Sequence, residues 1–210
     1  MEDEAKAYKR LFPSGHIPTV LACIIEAGRI LRKNTETDRE DWITRRLYLR
    51  LVRLPTFRDG PLGIHLKPEI VNPKFDADTP SGEIDLLVSC GHGYEVYFPL
   101  EAKRLRVTYA NGRLETGSDK YIKEGMMRFV TGQYAPFMEA GAMLGYVYDG
   151  NTVEARTDID RFVQSHAVTL RLLTPEKLSR SQILKDMPVD ETLHSLETRI
   201  FTIYHVFLAV

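Results

Sequence analysis

The chain has 210 residues, a length at which one domain buries roughly 70% of its unfolded surface and needs neither a disulfide nor a structural metal. Hydrophobic residues make up 43% and charged residues 27%, which excludes wholesale disorder. Lys plus Arg number 28 against 29 for Asp plus Glu, a net charge of -1. That excludes binding to nucleic acid through bulk positive charge and leaves room for a local basic patch.

The chain starts Met1-Glu2-Asp3-Glu4, without the positive region and apolar run of a secretion signal. The spacing of Val20, Leu21, Ile24, Ile25, Gly28 and Leu31 predicts a helix, with Pro18 in its first turn. A second helix is predicted over 37–54. Its apolar side is Ile43, Leu47, Leu51 and Leu54, its polar side carries Arg39, Arg45, Arg46, Arg50 and Arg53, and Pro55 ends it. A loop-rich section follows, with one short strand around Glu69 to Val71. Ile84 to Cys90 and Tyr94 to Leu105 read as strands joined at Gly91-His92-Gly93. Next come a helix over 119–131, a strand over 142–148, a helix near 157–165 and a strand over 167–173. A final helix over 190–207 carries an apolar stripe of Ile200, Ile203, Tyr204 and Phe207, read as core or as an oligomer interface. The expected fold is one α/β domain over 1–210, a central mixed sheet flanked by helices, with N-terminal helices (about 17–54), a core hairpin (about 83–105) and a C-terminal helix.

The two cysteines, Cys23 and Cys90, lie in apolar stretches and read as reduced thiols. No stretch approaches about 18 apolar residues, so a cytoplasmic location with no membrane partner is expected. None of the six histidines has metal-ligand spacing with a cysteine, which argues against zinc. No phosphate-cradling glycine motif follows a strand, which argues against nucleotide hydrolysis and dinucleotide binding.

The chemistry concentrates in the hairpin. If 91–93 form its loop, Cys90 faces Tyr94, Asp85 lies opposite Pro99 and Glu83 opposite Glu101. Strand side chains alternate, so the even face (Ile84, Leu86, Val88, Val96, Phe98, Leu100, Ala102) is apolar and turns to the core. The odd face gathers Glu83, Asp85, Glu101 and Lys103, with Asp85 and Glu101 diagonal neighbours about 7–8 Å apart. Two carboxylates suit a hard divalent cation whose shell is completed by phosphate oxygens, and a nearby lysine can orient a water or offset charge.

Asp85, followed on the adjacent strand by Glu101-Ala102-Lys103, resembles the PD-(D/E)XK, or restriction-endonuclease-like, nuclease superfamily. Ile84 stands where the eponymous proline would be. The resemblance implies a mixed sheet flanked by helices and Mg²⁺- or Mn²⁺-dependent phosphodiester cleavage. Asp85 and Glu101 would be the metal ligands and Lys103 the water-positioning lysine, with Glu40 of the second helix as a further ligand and Glu69 as its rival. The tripeptide alone carries nothing, because Glu4-Ala5-Lys6 repeats it in a polar N-terminus. The helix after the hairpin would supply phosphate contacts through Arg128, with Lys120, Lys123 and Arg104 as further nucleic-acid-binding candidates. Gln133-Tyr134 does not match the Gln-x-x-x-Tyr pattern of the RecB-like branch. Residues 102–128 hold seven cations against three carboxylates, a basic rim suited to a polyanion. Tyr8, Tyr97 and Tyr109 are candidates for stacking on bases.

The expected function is a metal-dependent endonuclease, with DNA favoured over RNA, and a role in restriction or antiphage defence by analogy. Selectivity would come from loops, a homodimer or a partner protein. The alternative is a catalytically inactive, nuclease-fold subunit that binds nucleic acid or scaffolds a larger complex.

Overall fold

A computed structural model describes residues 12–72, 77–91, 96–197 and 199–210. The two N-terminal helices form where the periodicity places them. Helix α1 (Ile17–Gly28) starts with a proline in its first turn and buries Val20, Leu21, Ile24 and Ile25. Helix α2 (Glu40–Leu51) opens on two acidic residues, which suit the positive end of the helix dipole, and turns Ile43, Leu47 and Leu51 inward. Pro55 ends this run but also begins a short helix, α3 (Pro55–Arg58).

Eleven strands follow among the described residues: β1 (Leu62–Leu66), β2 (Glu69–Ile70), β3 (Gly82–Glu83), β4 (Leu86–Cys90), β5 (Tyr97–Leu105), β6 (Val107–Thr108), β7 (Leu114–Glu115), β8 (Ala140–Val147), β9 (Ser179–Arg180), β10 (Val189–Leu196) and β11 (Arg199–Ala209). Seven of them form one sheet in the order β1-β4-β5-β8-β11-β10-β9. It is mixed: β8 runs parallel to both β5 and β11, and the other neighbouring pairs are antiparallel. Between β5 and β8 runs a helix, α4, in three segments: Ser118–Lys120, a π-helical stretch over Tyr121–Met126, and Met127–Val130. Helix α5 (Thr152–Ser165) follows β8.

Residue parity sorts the inner strands into two cores. Leu86, Val88, Phe98, Leu100, Ala102, Leu144, Val206 and Leu208 join α1 and α2 in one cluster. Leu87, Tyr97, Leu105, Met143, Val147, Phe201 and Ile203 join α4 and α5 in the other. The sheet is therefore covered on both faces, an α/β arrangement with a central mixed sheet. No helix among the described residues is long and apolar enough to cross a membrane.

Four expectations need correction. Residues 190–207 are not a helix but most of the β10–β11 hairpin. The dense apolar residues of 200–207 satisfy helical and strand periods alike, and Ile200, on the supposed stripe, is 56% exposed. Residues 167–173 form turns with a single bridge, Leu172 to His194, rather than a strand. Strand β1, flanked by Pro61 and Pro68, was hidden in the section read as loop. Finally, the β4–β5 register is shifted by two residues, with Leu86 opposite Leu100 and Leu87 opposite Pro99. Asp85 is therefore not opposite Pro99, and Glu83 pairs instead with Glu69 across β2–β3. The assumed three-residue turn was too short; His92 and Tyr94 lie outside the described residues.

Candidate active site at the end of the central hairpin

A two-residue shift preserves parity within the strands, so Glu101 and Lys103 stay on one face of β5. Asp85 lies at a bend before β4, where the alternation breaks: Ile84, expected beside Leu86, turns to the opposite core. Asp85 lies one residue before the Leu86–Leu100 pair, and its carboxylate reaches the β5 backbone next to Glu101. Asp85, Glu101 and Lys103 are 6%, 2% and 8% exposed. Asp85 Oδ2 accepts the Ala102 N–H at 2.8 Å. Glu101 Oε1 accepts from Lys103 Nζ at 2.6 Å and from Arg128 Nη1 at 3.2 Å. Glu101 Oε2 is buried and, among the described residues, has no hydrogen-bond partner, an arrangement that costs free energy and calls for a reason.

Two helices complete the cluster. Glu40, in the first turn of α2, lies with Oε1 3.5 Å from Lys103 Nζ and accepts the Arg104 N–H on Oε2 at 2.8 Å. The sequence left Glu40 and Glu69 as rivals; it is Glu40 that meets Lys103, whereas Glu69 is exposed on β2. Helix α4 sits close to β5 and β8 because of Gly125, where a Cβ would collide with the Met143 side chain and come within 3.8 Å of Lys103 Cγ. Its end is set by Gly132 at φ +76, a left-handed residue closing the helix. Arg128 bonds Tyr134 Oη as well as Glu101, and Tyr134 Oη donates to Glu83 O at 2.8 Å.

The electrostatics follow from crowding carboxylates out of water. Burial, with the nearby charge of Asp85, pushes Glu101 up to about 8, against the pull of Lys103 and Arg128. Burial likewise raises Glu40, countered in part by Lys103. Burial works against the Lys103 ammonium, but Glu101, Glu40 and Asp85 outweigh it and its pKa lies above the ordinary lysine value. Among the described residues no three His, Cys, Asp or Glu side chains stand as a preformed metal cage. The donor set nonetheless fits a hard divalent cation: oxygen ligands only, mutual repulsion, and a buried carboxylate oxygen without a partner.

The other candidates are distributed around this cluster. A cleft beside it is lined by Arg39, Glu40, Asp41, Lys103 and Arg104 on one side and by Glu115, Lys120 and Glu124 on the other. Its four cations and four carboxylates balance. Lys120 Nζ lies 3.4 Å from Glu115, Lys123 pairs with Asp119 at 2.7 Å on the exposed face of α4, and the Arg104 guanidinium donates to Asp38 O at 3.2 Å. Arg106 is held by Asp149 and Asp158. Much of the basic rim is thus engaged within the protein. Tyr97 is buried and donates to Tyr134 O, Tyr109 donates to Glu115 with the Arg113 guanidinium 5.0 Å from its ring centre, and Tyr8 lies outside the described residues. Sequence reasoning missed Lys67, whose ammonium lies 3.0 Å from Asp41, 3.2 Å from Glu83 and 3.5 Å from Asp85. It follows a strand that was itself missed.

A second buried polar cluster lies between α4 and the β10–β11 hairpin. His194 Nδ1 lies 2.7 Å from Leu170 O and must donate to it, leaving Nε2 as an acceptor on a neutral ring. The Thr192 hydroxyl therefore donates to His194 Nε2 (2.8 Å) and accepts from His205 Nε2–H (2.9 Å). His205 Nδ1 is then the acceptor for the Tyr121 hydroxyl at 2.9 Å. Burial pushes His194 down to about 4, and burial together with His194 and Arg156 pushes His205 down to about 3.

Compared with known proteins, the chain matches no family model, no curated protein and no solved structure.

Proposed function

We propose that this chain is a divalent-metal-dependent nuclease that hydrolyses phosphodiester bonds, with DNA favoured over RNA, and that its sheet is of the restriction-endonuclease-like kind. The carrying observation is the buried, unpartnered Glu101 Oε2 beside Asp85, with Lys103 on the other oxygen of the same carboxylate. An antiparallel β4–β5 pair followed by a helical crossover to a parallel β8 supports the fold assignment.

Asp85, Glu101 and Glu40 would hold Mg²⁺ or Mn²⁺. What such an ion supplies when bound is polarisation of the scissile phosphate and a lowered pKa for an attached water. The chain's own groups do the rest. Asp85 is fixed by a backbone N–H of β5, so its carboxylate is oriented before substrate arrives. Lys103, held charged by its acidic neighbours, is placed to orient the attacking water and to offset charge gathering on the phosphate. Arg128 holds Glu101 from the helix side and is 36% exposed at its side chain, open to a substrate phosphate. Restriction or antiphage defence remains the biological setting we propose, by analogy with small nucleases of this kind.

The second reading, an inactive scaffold of the same fold, is favoured by the closed Lys103–Glu101 pair at 2.6 Å and by the balanced charge of the cleft. One experiment separates the two. Plasmid, single-stranded DNA and RNA are incubated with the wild type and Lys103→Ala in Mg²⁺, Mn²⁺ or EDTA. Cleavage that needs metal and falls by about 10²–10³-fold in the variant is the expected result; binding without cleavage in every metal overturns the nuclease reading.

A further inference from the structure

The next inference rests on the metal-dependent reading and concerns how the site becomes loaded. Lys67 stands one residue beyond β1 at φ +50, in the left-handed region that residues other than glycine rarely adopt. Its N–H donates to Asp85 O at 3.0 Å, so the backbone holds it beside the acid that its side chain also faces. Its ammonium gathers carboxylates from three places in the fold: Asp41 of α2 at 3.0 Å, Glu83 of β3 at 3.2 Å, and Asp85 before β4 at 3.5 Å.

Consider the four oxygens of the two central carboxylates. Asp85 Oδ2 is taken by the Ala102 N–H, and Glu101 Oε1 by Lys103 and Arg128. Glu101 Oε2 has no partner among the described residues. Asp85 Oδ1 faces Lys67 Nζ at a distance too long for a strong hydrogen bond. The two oxygens left for an external cation are thus Glu101 Oε2 and Asp85 Oδ1, and Lys67 stands on the second.

We propose that Lys67 is a built-in counter-cation of this site: it neutralises the acidic mouth before a divalent ion arrives and must be displaced for the ion to bind Asp85. Loading is then an exchange of one cation for another, and Lys67 sets the ion concentration at which the site fills. Its side chain is 29% exposed, and its flexible four-carbon stem lets the ammonium retreat into water without backbone movement.

The test is Mn²⁺ binding by calorimetry on the full chain without nucleic acid, comparing wild type, Lys67→Met, Lys67→Gln, Lys67→Arg and Glu101→Gln. The neutral variants should bind Mn²⁺ about fivefold more tightly, the factor for a divalent ion and a displaced ammonium roughly 8 Å apart under water-like screening. Lys67→Arg should stay near wild type. Unchanged or weaker binding in both neutral variants, with binding retained by wild type and lost in Glu101→Gln, overturns the role of Lys67 and leaves the nuclease reading standing. No Mn²⁺ uptake by any protein overturns both. If the neutral variants unfold when metal-free, refolding at Mn²⁺ concentrations below those that bind wild type supports the exchange, and failure to refold overturns it.

Discussion

Two buried polar clusters lie against one sheet, one around the end of β5 and one between α4 and the β10–β11 hairpin, and they are built on opposite terms. In the Tyr121–His205–Thr192–His194 chain each hydroxyl or imidazole has its partner and the rings are neutral, so the proton positions can be assigned one after another. Around β5 burial and the charge of Asp85 oppose ionisation of Glu101, pushing it up to about 8, and among the described residues Glu101 Oε2 has nothing to bond. The first pattern is that of a cluster that rigidifies a core. The second tolerates a free-energy cost that packing alone does not explain, and such costs concentrate at functional sites. Chemistry is sought in the incomplete cluster, and stability in the complete one.

Variants should separate the two. The largest effect is expected for Glu101→Gln, which should lower metal-dependent cleavage by ~10³-fold while leaving the melting temperature equal or higher, since it removes a buried repulsion; a fall in both together would place Glu101 among the structural groups. Thr192→Val should do the reverse. It leaves both imidazoles short of a partner, at about 1–3 kcal/mol for each unsatisfied group, with cleavage per folded molecule unchanged. Denaturant melts paired with cleavage assays check both.

The clusters should also pull stability in opposite directions with pH. Because the folded pKa values of His194 and His205 lie at about 4 and about 3, below the unfolded value near 6.5, the unfolded chain takes up protons first on acidification. Their contribution is complete above about pH 6.5 and is lost as pH falls through the folded values, with a slope of up to about 1.4 kcal/mol per pH unit for each ring. Glu101, with its folded pKa near 8, contributes stability that is complete below about pH 4.5 and is lost as pH rises through 8. Melts from pH 4 to 9 should show the alkaline limb shrink in Glu101→Gln and the acid limb shrink in His205→Phe. The smallest effect is expected for Lys123→Ala, an exposed pair with Asp119 on α4, within about 0.5 kcal/mol of wild type.

The contrast also bears on what could be read from the sequence. Alternation in β5 put Glu101 and Lys103 on one face even though the assumed turn was wrong, because an error of two residues does not change parity; Asp85 joins them from a bend before β4, through its bond to the Ala102 N–H. Helices α1 and α2 were legible because their apolar stripes repeat at helical spacing between clear stops. The β10–β11 hairpin was not: from Ile200 to Phe207 apolar residues are dense enough to fit either period, and its meaning comes from Thr192, His194 and His205, whose partners are distant in sequence. Lys67 was invisible for a related reason. Its role depends on β1, on Asp41 of α2 and on Glu83 of β3, three segments that only folding brings together. The π-helical stretch of α4 has no signature in residue spacing.

The parity rule carries an evolutionary cost. Strand β5 is buried along both sides, with Leu100 and Ala102 in one core and Glu101 and Lys103 opposite. Gaining or losing a single codon between Tyr97 and Glu101 would rotate the strand by half its repeat, driving a carboxylate and an ammonium into hydrocarbon and presenting leucine and alanine where Glu101 and Lys103 now lie. Length changes in this stretch would survive only in pairs, so descendants of this chain should vary freely in the connection before β5 and hardly at all within it.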